Sequence, residues 1–202
     1  MNQNTDLISF VGDPHFFHEL MAKLRGYGEG DEGVAAMNAE MREIWNKHIT
    51  PKHTVYCLGD VAYGRHAKPH LVQKFLTTLN GNICLIRGNH DQKNKALAGA
   101  IESRMAWVKD VYMLKVPLSD EDQSTFSLRF GGNVFIWLSH YSHRSWPQQG
   151  YGSLHLYGHS HGKLPDWKFS TDVGWDVWKQ PVSFDSVICH MARKLFTTEP
   201  AA

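Results

Sequence analysis

Five short apolar runs, each stopping abruptly at a polar or glycine-containing turn, constrain this chain more than any other feature. They are LISFV (7–11), TVYCL (54–58), ICLI (83–86), NVFIWL (133–138) and LHLY (154–157). Rich in β-branched, aromatic and aliphatic residues and too short for independent helices, they read as strands buried on one or both faces. VYMLKV (111–116) and FSLRF (126–130), joined by the acidic turn PLSDEDQST, read as a further antiparallel pair, and VSFDSVICH as another strand. Between the first three strands the period changes. Val34, Met37, Met41, Ile44, Trp45 and His48 recur at three- and four-residue spacing, which predicts an amphipathic helix over 33–48 that Pro51 closes. Leu71, Val72, Phe75, Leu76 and Leu79 mark a second helix before Asn80-Gly81, and a third is expected over 94–106. Strand–helix–strand order followed by a strand-rich half predicts a single α/β domain over residues 1–202, with no internal repeat or linker.

The strand ends carry the chemistry. LISFV runs into Asp13, His15 and His18, and TVYCL into Gly59-Asp60. ICLI delivers Arg87, Gly88, Asn89, His90 and Asp91. NVFIWL is followed by Ser139-His140-Tyr141, and LHLY by Gly158-His159-Ser160-His161-Gly162. In open α/β sheets ligands bind beyond the carboxyl ends of the strands. Each turn alone has an ordinary explanation, a Gly-Asp turn or a satisfied histidine. Five in the same strand–turn context make coincidence a poor account. Asp-x-His and His-x-His add to this, since alternation in an extended segment puts both donors on one side.

Two carboxylates, one amide oxygen and four imidazoles form an N/O donor set without thiolate, which excludes a Cys-type structural zinc site. Seven donors exceed one tetrahedral ion and suit two ions sharing a carboxylate. The three cysteines, Cys57, Cys84 and Cys189, sit in apolar runs without framework spacing and read as buried, reduced thiols. The start MNQNTDLISF has neither the cationic beginning nor the apolar stretch of a signal peptide, and no run approaches a membrane span, so a cytoplasmic protein without membrane partners is expected. A formal net charge of +1 gives no basic face for wrapping long nucleic acid, though a small phosphate ligand is compatible with it.

The ordered set Asp-x-His, Gly-Asp, Gly-Asn-His-Asp, His and Gly-His-x-His, spread over residues 12 to 162, resembles the calcineurin-like metallophosphoesterases. The opening GDPHFFH and the late DVGWDVW look most like small bacterial and phage members. GDVAYGRH and GNHD depart from the Ser/Thr protein phosphatase branch, which carries Gly-Asp-x-Val-Asp-Arg-Gly and Gly-Asn-His-Glu. The resemblance implies a four-layer α/β/β/α sandwich of two mixed sheets flanked by helices, with an open cleft. It implies two divalent ions, manganese first, with iron, nickel or zinc as alternatives. Asp13, His15 and His161 would hold the first ion and Asn89, His140 and His159 the second, with Asp60 bridging. A metal-bridging hydroxide would attack phosphorus while His90 protonates the leaving alkoxide. Asp91 would orient His90 or cap the next helix.

Around this set, His18, Arg87 and Tyr141 are candidates for substrate contact. His18 has a packing role as its alternative, and Arg87 a pairing with a neighbouring carboxylate. Trp146 or Tyr151 in the loop 141–152 would stack on a base or cover the core edge, whereas Trp175, Trp178 and His155 read as structural. The substrate implied is a small phosphoester. A phosphodiester such as a nucleotide or a nucleic-acid end comes first, then a phosphomonoester. A catalytically silent metal-binding scaffold is the rival from another class, disfavoured because Asp60 and His90 are both present.

Overall fold

A computed structural model describes residues 5–118 and 132–197. FSLRF and most of the acidic turn before it lie outside the described residues. The first sheet has the order β4-β3-β2-β1-β9. It comprises β1 (Ile8–Val11), β2 (Thr54–Cys57), β3 (Asn82–Ile86), β4 (Trp107–Lys109) and β9 (Val182–Ser183). All neighbours are parallel except β9, which runs against β1. The second sheet, β5-β6-β7-β8, comprises Val111–Pro117, Asn133–Ser139, Leu154–Tyr157 and Ser170–Asp172. Here β5 is antiparallel to β6, and β6, β7 and β8 are parallel.

Residues alternate between two cores, as strand geometry requires. Val55, Cys57, Ile83 and Leu85 face the helices α1 (Glu19–Leu24), α2 (Gly30–His48), α3 (Pro69–Leu76) and α4 (Lys95–Glu102). Phe10, Tyr56, Leu58, Cys84 and Ile86 face the second sheet and meet Leu114, Ile136, Leu138, Leu154 and Leu156. The two mixed sheets with flanking helices are those the family resemblance implies. Helix ends follow local chemistry. Glu19 accepts from the Gly30 amide at 2.9 Å and so closes the start of α2, and Pro51 bars helix at Thr50, so α2 stops at His48. Pro69 opens α3, and Asn94 caps α4 through the Leu97 amide at 3.1 Å.

Four expectations need correction. VSFDSVICH is a strand only at β9; from Phe184 it is helix α6 (Phe184–Thr197), because Phe184, Val187, Ile188 and Met191 fall on one helical stripe and all are buried. The third helix ends at Glu102, and Trp107–Lys109 pairs with β3 instead. Helices α1 and α5 (Trp175–Trp178) and strand β8 were not anticipated: six, four and three residues are too few to show a period. Cys189 is exposed on α6, unlike buried Cys57 and Cys84.

On the outer side of the second sheet, His155 is fully buried between two hydroxyls, Ser139 Oγ at 2.9 Å from Nε2 and Ser170 Oγ at 2.9 Å from Nδ1. Trp146, itself buried, covers it with ring centroids 5.1 Å apart, so this tryptophan closes the core edge. Burial, helped by His143, lowers the His155 pKa from 6.5 to about 3. The unfolded chain therefore takes up this proton first as pH falls. The stabilisation is complete above pH 6.5 and is lost as pH drops from there toward about 3. In His155→Gln, the slope of unfolding free energy against pH across this window, measured by urea titration, should be shallower than in the parent. An unchanged slope would assign the acid sensitivity elsewhere.

Candidate metal centre

Parallel pairing places Val11, Cys57 and Leu85 at one level, so the turns after β1, β2 and β3 leave the first sheet side by side. The turns after β6 and β7 reach the same volume from the second sheet. Glycines let these turns touch backbone to backbone. A Cβ on Gly158 would stand 2.5 Å from Asp13 Oδ2, and one on Gly88 would collide with Asp60. The chain is knitted across the gap by Asp13 N–H to Gly59 O (3.0 Å), His15 N–H to Asp60 O (3.0 Å) and Gly158 N–H to His140 O (3.0 Å).

Two groups of donors result. Asp13, His15 and His161 bring their ligand atoms within 4.8 Å of one another, and so do Asp60, His140 and His159. Asp60 Oδ2 lies between them, 3.7 Å from His15 Nε2 and 3.7 Å from His140 Nε2. Asn89 Oδ1 is 3.0 Å from His140 Nε2. The sequence reading expected the donors on extended segments. Instead Asp13, His15, Asp60, His159 and His161 have φ between +48° and +63°, five of nine non-glycine residues in the left-handed region among those described. Left-handed turns, not alternation, aim the paired donors. Such strain, about 1–2 kcal/mol per residue, concentrates where structure serves a site.

Several polar atoms here find no partner among the described residues. Asp13 Oδ1 and both ring nitrogens of His15 are buried without a hydrogen-bond partner among the described residues. Burial, then the nearby Asp60 and Asp172 carboxylates, raises the Asp13 carboxyl well above its usual range, and burial also raises Asp60. Burial and the charges of His161 and Arg25 lower His15 to about 2, so its imidazole stays neutral with lone pair free. Neutral His140 offers Nδ1–H to Leu58 O at 2.8 Å, which puts its lone pair on Nε2, facing the Asn89 oxygen. Acceptors facing acceptors and carboxylates starved of positive charge are what divalent ions would relieve, and the N/O donor set fits them.

Of the remaining candidates, His90 is half-buried. Its amide donates to Asp60 Oδ1 at 2.8 Å, and its Nε2 lies 3.8 Å from Asp60 Oδ2. Lys93 Nζ is 3.3 Å from His90 Nδ1, and Tyr63 lies against the ring with centroids 4.0 Å apart. Burial and the Lys93 charge lower His90 to about 4. The His18 ring lies between those of His15 and Tyr63, tilted to each, with centroids 5.3 Å away. Tyr141 is half exposed, its ring 4.7 Å from His159.

Arg87 pairs with Glu102 at 3.1 Å and Asp110 at 3.2 Å, the pairing expected as its alternative, and it also lines the cleft beside Asn89 and His140. One expectation changes. Asp91 neither orients the His90 ring nor caps α4. Its carboxylate accepts from the amides of Gly88 (2.7 Å), Asp60 (2.9 Å) and Val61 (2.9 Å), binding two of the turns together, although burial raises its pKa to about 6.

Two carboxylates escaped the sequence reading, both in DVGWDVW. Asp172 accepts from the Ser160 hydroxyl and from the amides of Gly162 (3.0 Å) and Gly174 (2.6 Å), and so shapes the turn that carries His159 and His161. Asp176 Oδ2 lies 2.7 Å from His161 Nδ1, leaving Nε2 of that ring as the ligand atom. Arg25 holds Asp176 with Nε and Nη2 at 2.8 and 2.9 Å and donates to the carbonyls of Asp13 (2.9 Å) and Pro14 (2.7 Å). Burial would raise the Asp176 carboxyl, but the hydrogen bonds from His161 and Arg25 hold it below the ordinary range. The signal that would have found Asp172 is the rule already used, since it ends a strand, whereas Asp176 sits in a four-residue helix that no local signal marks.

An α/β sandwich whose strand ends converge on paired N/O donor groups is the architecture of a two-metal hydrolase. A model of the calcineurin-like phosphoesterase family matches residues 7–177, and the chain belongs to that family of binuclear metal-dependent phosphoesterases. It is 29% identical over 138 residues to an uncharacterised protein of Methanocaldococcus jannaschii, covering 68% of this chain and 69% of that one. It is 23% identical over 198 residues to the gene 66 protein of Mycobacterium phage L5, covering 88% and 90%. Among solved structures it shares the fold of a protein of unknown function from Aquifex aeolicus, with a TM-score of 0.58 and 16% identity over 89% of this chain and 96% of that one.

If Asp176 sets the His161 tautomer, Asp176→Asn should weaken binding of one manganese ion by about 10–100-fold while the second ion binds as before. Calorimetric titration of the metal-free protein reads this directly. Equal weakening of both ions would reduce Asp176 to general support of the fold.

Proposed function

We propose that this protein is a phosphodiesterase acting on small nucleotides or nucleic-acid ends. The observation that carries the reading is Asp60 Oδ2, which stands 3.7 Å from an imidazole of each donor group and 3.8 Å from His90 Nε2. Asp13, His15 and His161 would hold one divalent ion, Asn89, His140 and His159 the other, and Asp60 would face both. Manganese is our first assignment. Two such ions supply Lewis-acid stabilisation of the phosphoryl oxygens and bring water toward ionisation near neutral pH.

The side chains do the rest. Lys93 donates to His90 Nδ1, which places the ring proton on Nε2, facing the space beside Asp60. That N–H is positioned to hydrogen-bond the oxygen of a departing alkoxide and stabilise its developing charge, and Tyr63 keeps the ring in place. The diester preference rests on room. A cleft of about 430 Å³ opens on the His15–His90 side, and another of about 330 Å³, lined by Asn89, His140 and Tyr141, opens on the other. An ester with an organic group on each side of phosphorus uses both. Arg87, a candidate for phosphate contact that would favour a more highly charged monoester, has its charge offset by Glu102 and Asp110. The partner is then a small phosphoester; among the described residues no helix is long and apolar enough to cross a membrane.

With manganese or nickel added, bis(p-nitrophenyl) phosphate should be hydrolysed with at least about tenfold higher kcat/KM than p-nitrophenyl phosphate, a transition-state difference of about 1.4 kcal/mol. The reverse order would make the protein a phosphomonoesterase. No turnover of either ester with metals bound would make it a scaffold. Asp60→Ala should lose metal and activity together. His90→Ala should keep both ions and lose about 10²–10⁴-fold on esters with alkoxide leaving groups, less on p-nitrophenolate. Metal loss in His90→Ala would overturn the role given to that ring.

A further inference from the structure

The larger cleft continues past the reacting centre. Its outer half is lined by Leu20, Met21 and Leu24 of α1 and by Lys163 and Lys179. Leu20 is 56% and Leu24 69% exposed, whereas Met21 and Ala22 of the same helix are buried. Two leucines four residues apart stack on one face of a helix, so α1 turns an apolar strip into the cleft where a surface helix ordinarily carries polar residues. Single exposed leucines are common on surfaces, but a pair bordering a reaction cleft is a contact surface for the apolar part of a ligand.

What singles out the two lysines is their place at the cleft, since most lysines among the described residues, unlike Lys23 with Glu29 and Lys194 with Asp166, enter no ion pair. Lys163, two residues beyond His161, and Lys179, with a left-handed φ of +58° where it ends α5, are both exposed, and neither forms an ion pair among the described residues. An apolar strip and two unpaired cations in one cleft match a molecule with a flat apolar part and an anion beyond the scissile phosphate. The volume, about 430 Å³, sits low in the range of small-molecule pockets and suits one nucleoside phosphate unit. A diacyl lipid would need far more apolar wall.

We propose that this outer half is a nucleoside subsite: Leu20 and Leu24 contact the base or sugar face, and Lys163 and Lys179 bind a second phosphate of the same nucleotide. The proposal rests on the phosphodiesterase reading and names its substrate class, a nucleoside 3′,5′-bisphosphate unit, free or at the end of a strand.

Three chromogenic diesters test it: methyl p-nitrophenyl phosphate, the p-nitrophenyl ester of thymidine 5′-phosphate, and the same ester carrying a 3′-phosphate. In the parent, kcat/KM should rise along that series. Leu20→Ser/Leu24→Ser should cut the preference for the thymidine ester over the methyl ester by about tenfold, through KM. Lys163→Ala/Lys179→Ala should remove the advantage conferred by the 3′-phosphate, about fivefold, and salt should erode that advantage in the parent. Thymidine 3′,5′-bisphosphate, titrated calorimetrically into each metal-loaded protein, reads the subsite without turnover, and a short oligonucleotide bearing a terminal phosphate reports whether a strand end enters it. Equal losses on all three esters, or bisphosphate binding undiminished in both double variants, would overturn the subsite. If the parent hydrolyses no ester, the phosphodiesterase reading fails, while weaker bisphosphate binding in the variants would still support the subsite.

Discussion

Two carboxylates, Asp13 and Asp60, are buried within 4.0 and 3.7 Å of a single neutral imidazole nitrogen on His15, with no cationic side chain between them. Such a cluster resists assembly by the protein alone, since burying like charges without partners is costly. Most of the surrounding structure can be understood as what holds it together. Parallel strands bring the turns side by side, glycines let the turns touch, and Asp91 and Asp172 bind the backbone amides of those turns to one another. Five donors in left-handed backbone, at about 1–2 kcal/mol each, add a cost comparable to a domain's whole net stability. Two continuous cores, one on each face of the first sheet, are large enough to impose that geometry.

The two donor groups are not prepared equally. In the first, Asp13 and His15 are buried, His161 is fixed through Asp176, and Arg25 ties Asp176 to the carbonyls of Asp13 and Pro14. The ligands of this group are thus cross-braced from α1 to α5. In the second, His140 is anchored by Leu58, but His159 is exposed and Asn89 half-buried, and Tyr141 stands half exposed beside them. Fewer side-chain torsions remain to be ordered in the first group than in the second, so the two ions meet different entropic costs. The looser group also faces the smaller cleft, where one arm of a substrate would lie.

What the sequence made legible follows from the length scale of each signal. Strands of four to seven residues written as short apolar runs were readable, and the donors at their ends with them, because a strand end is a local feature. β8, only Ser170–Asp172, carries no apolar period and was missed, and with it the meaning of Asp172. α6 was read as a strand because VSF begins in extended backbone, and the helical stripe starts only at Phe184. Arg25 and Asp176 are separated by 151 residues, and nothing local distinguishes their pairing from any surface arginine and aspartate. Arg87 illustrates the converse. Its position beside Asn89 suggested substrate, but Glu102 and Asp110 come from elements whose approach only the fold reveals.

The hydrogen bond from His140 Nδ1 to Leu58 O joins the two sheets directly, since Leu58 follows β2 and His140 follows β6. The same bond decides which nitrogen of His140 is free for a ligand. Site and sheet packing therefore share an atom pair, and neither can shift alone. A slide of one sheet against the other by an ångström would break this bond and draw His140 away from Asn89 and Asp60. The constraint runs in the opposite direction as well: ions held between Asp60, which the first sheet carries, and His140 and His159, which the second carries, would act as cross-links between layers. Occupancy of the centre and rigidity of the sandwich are then coupled quantities, and the open cleft flanked by α1 inherits its shape from both.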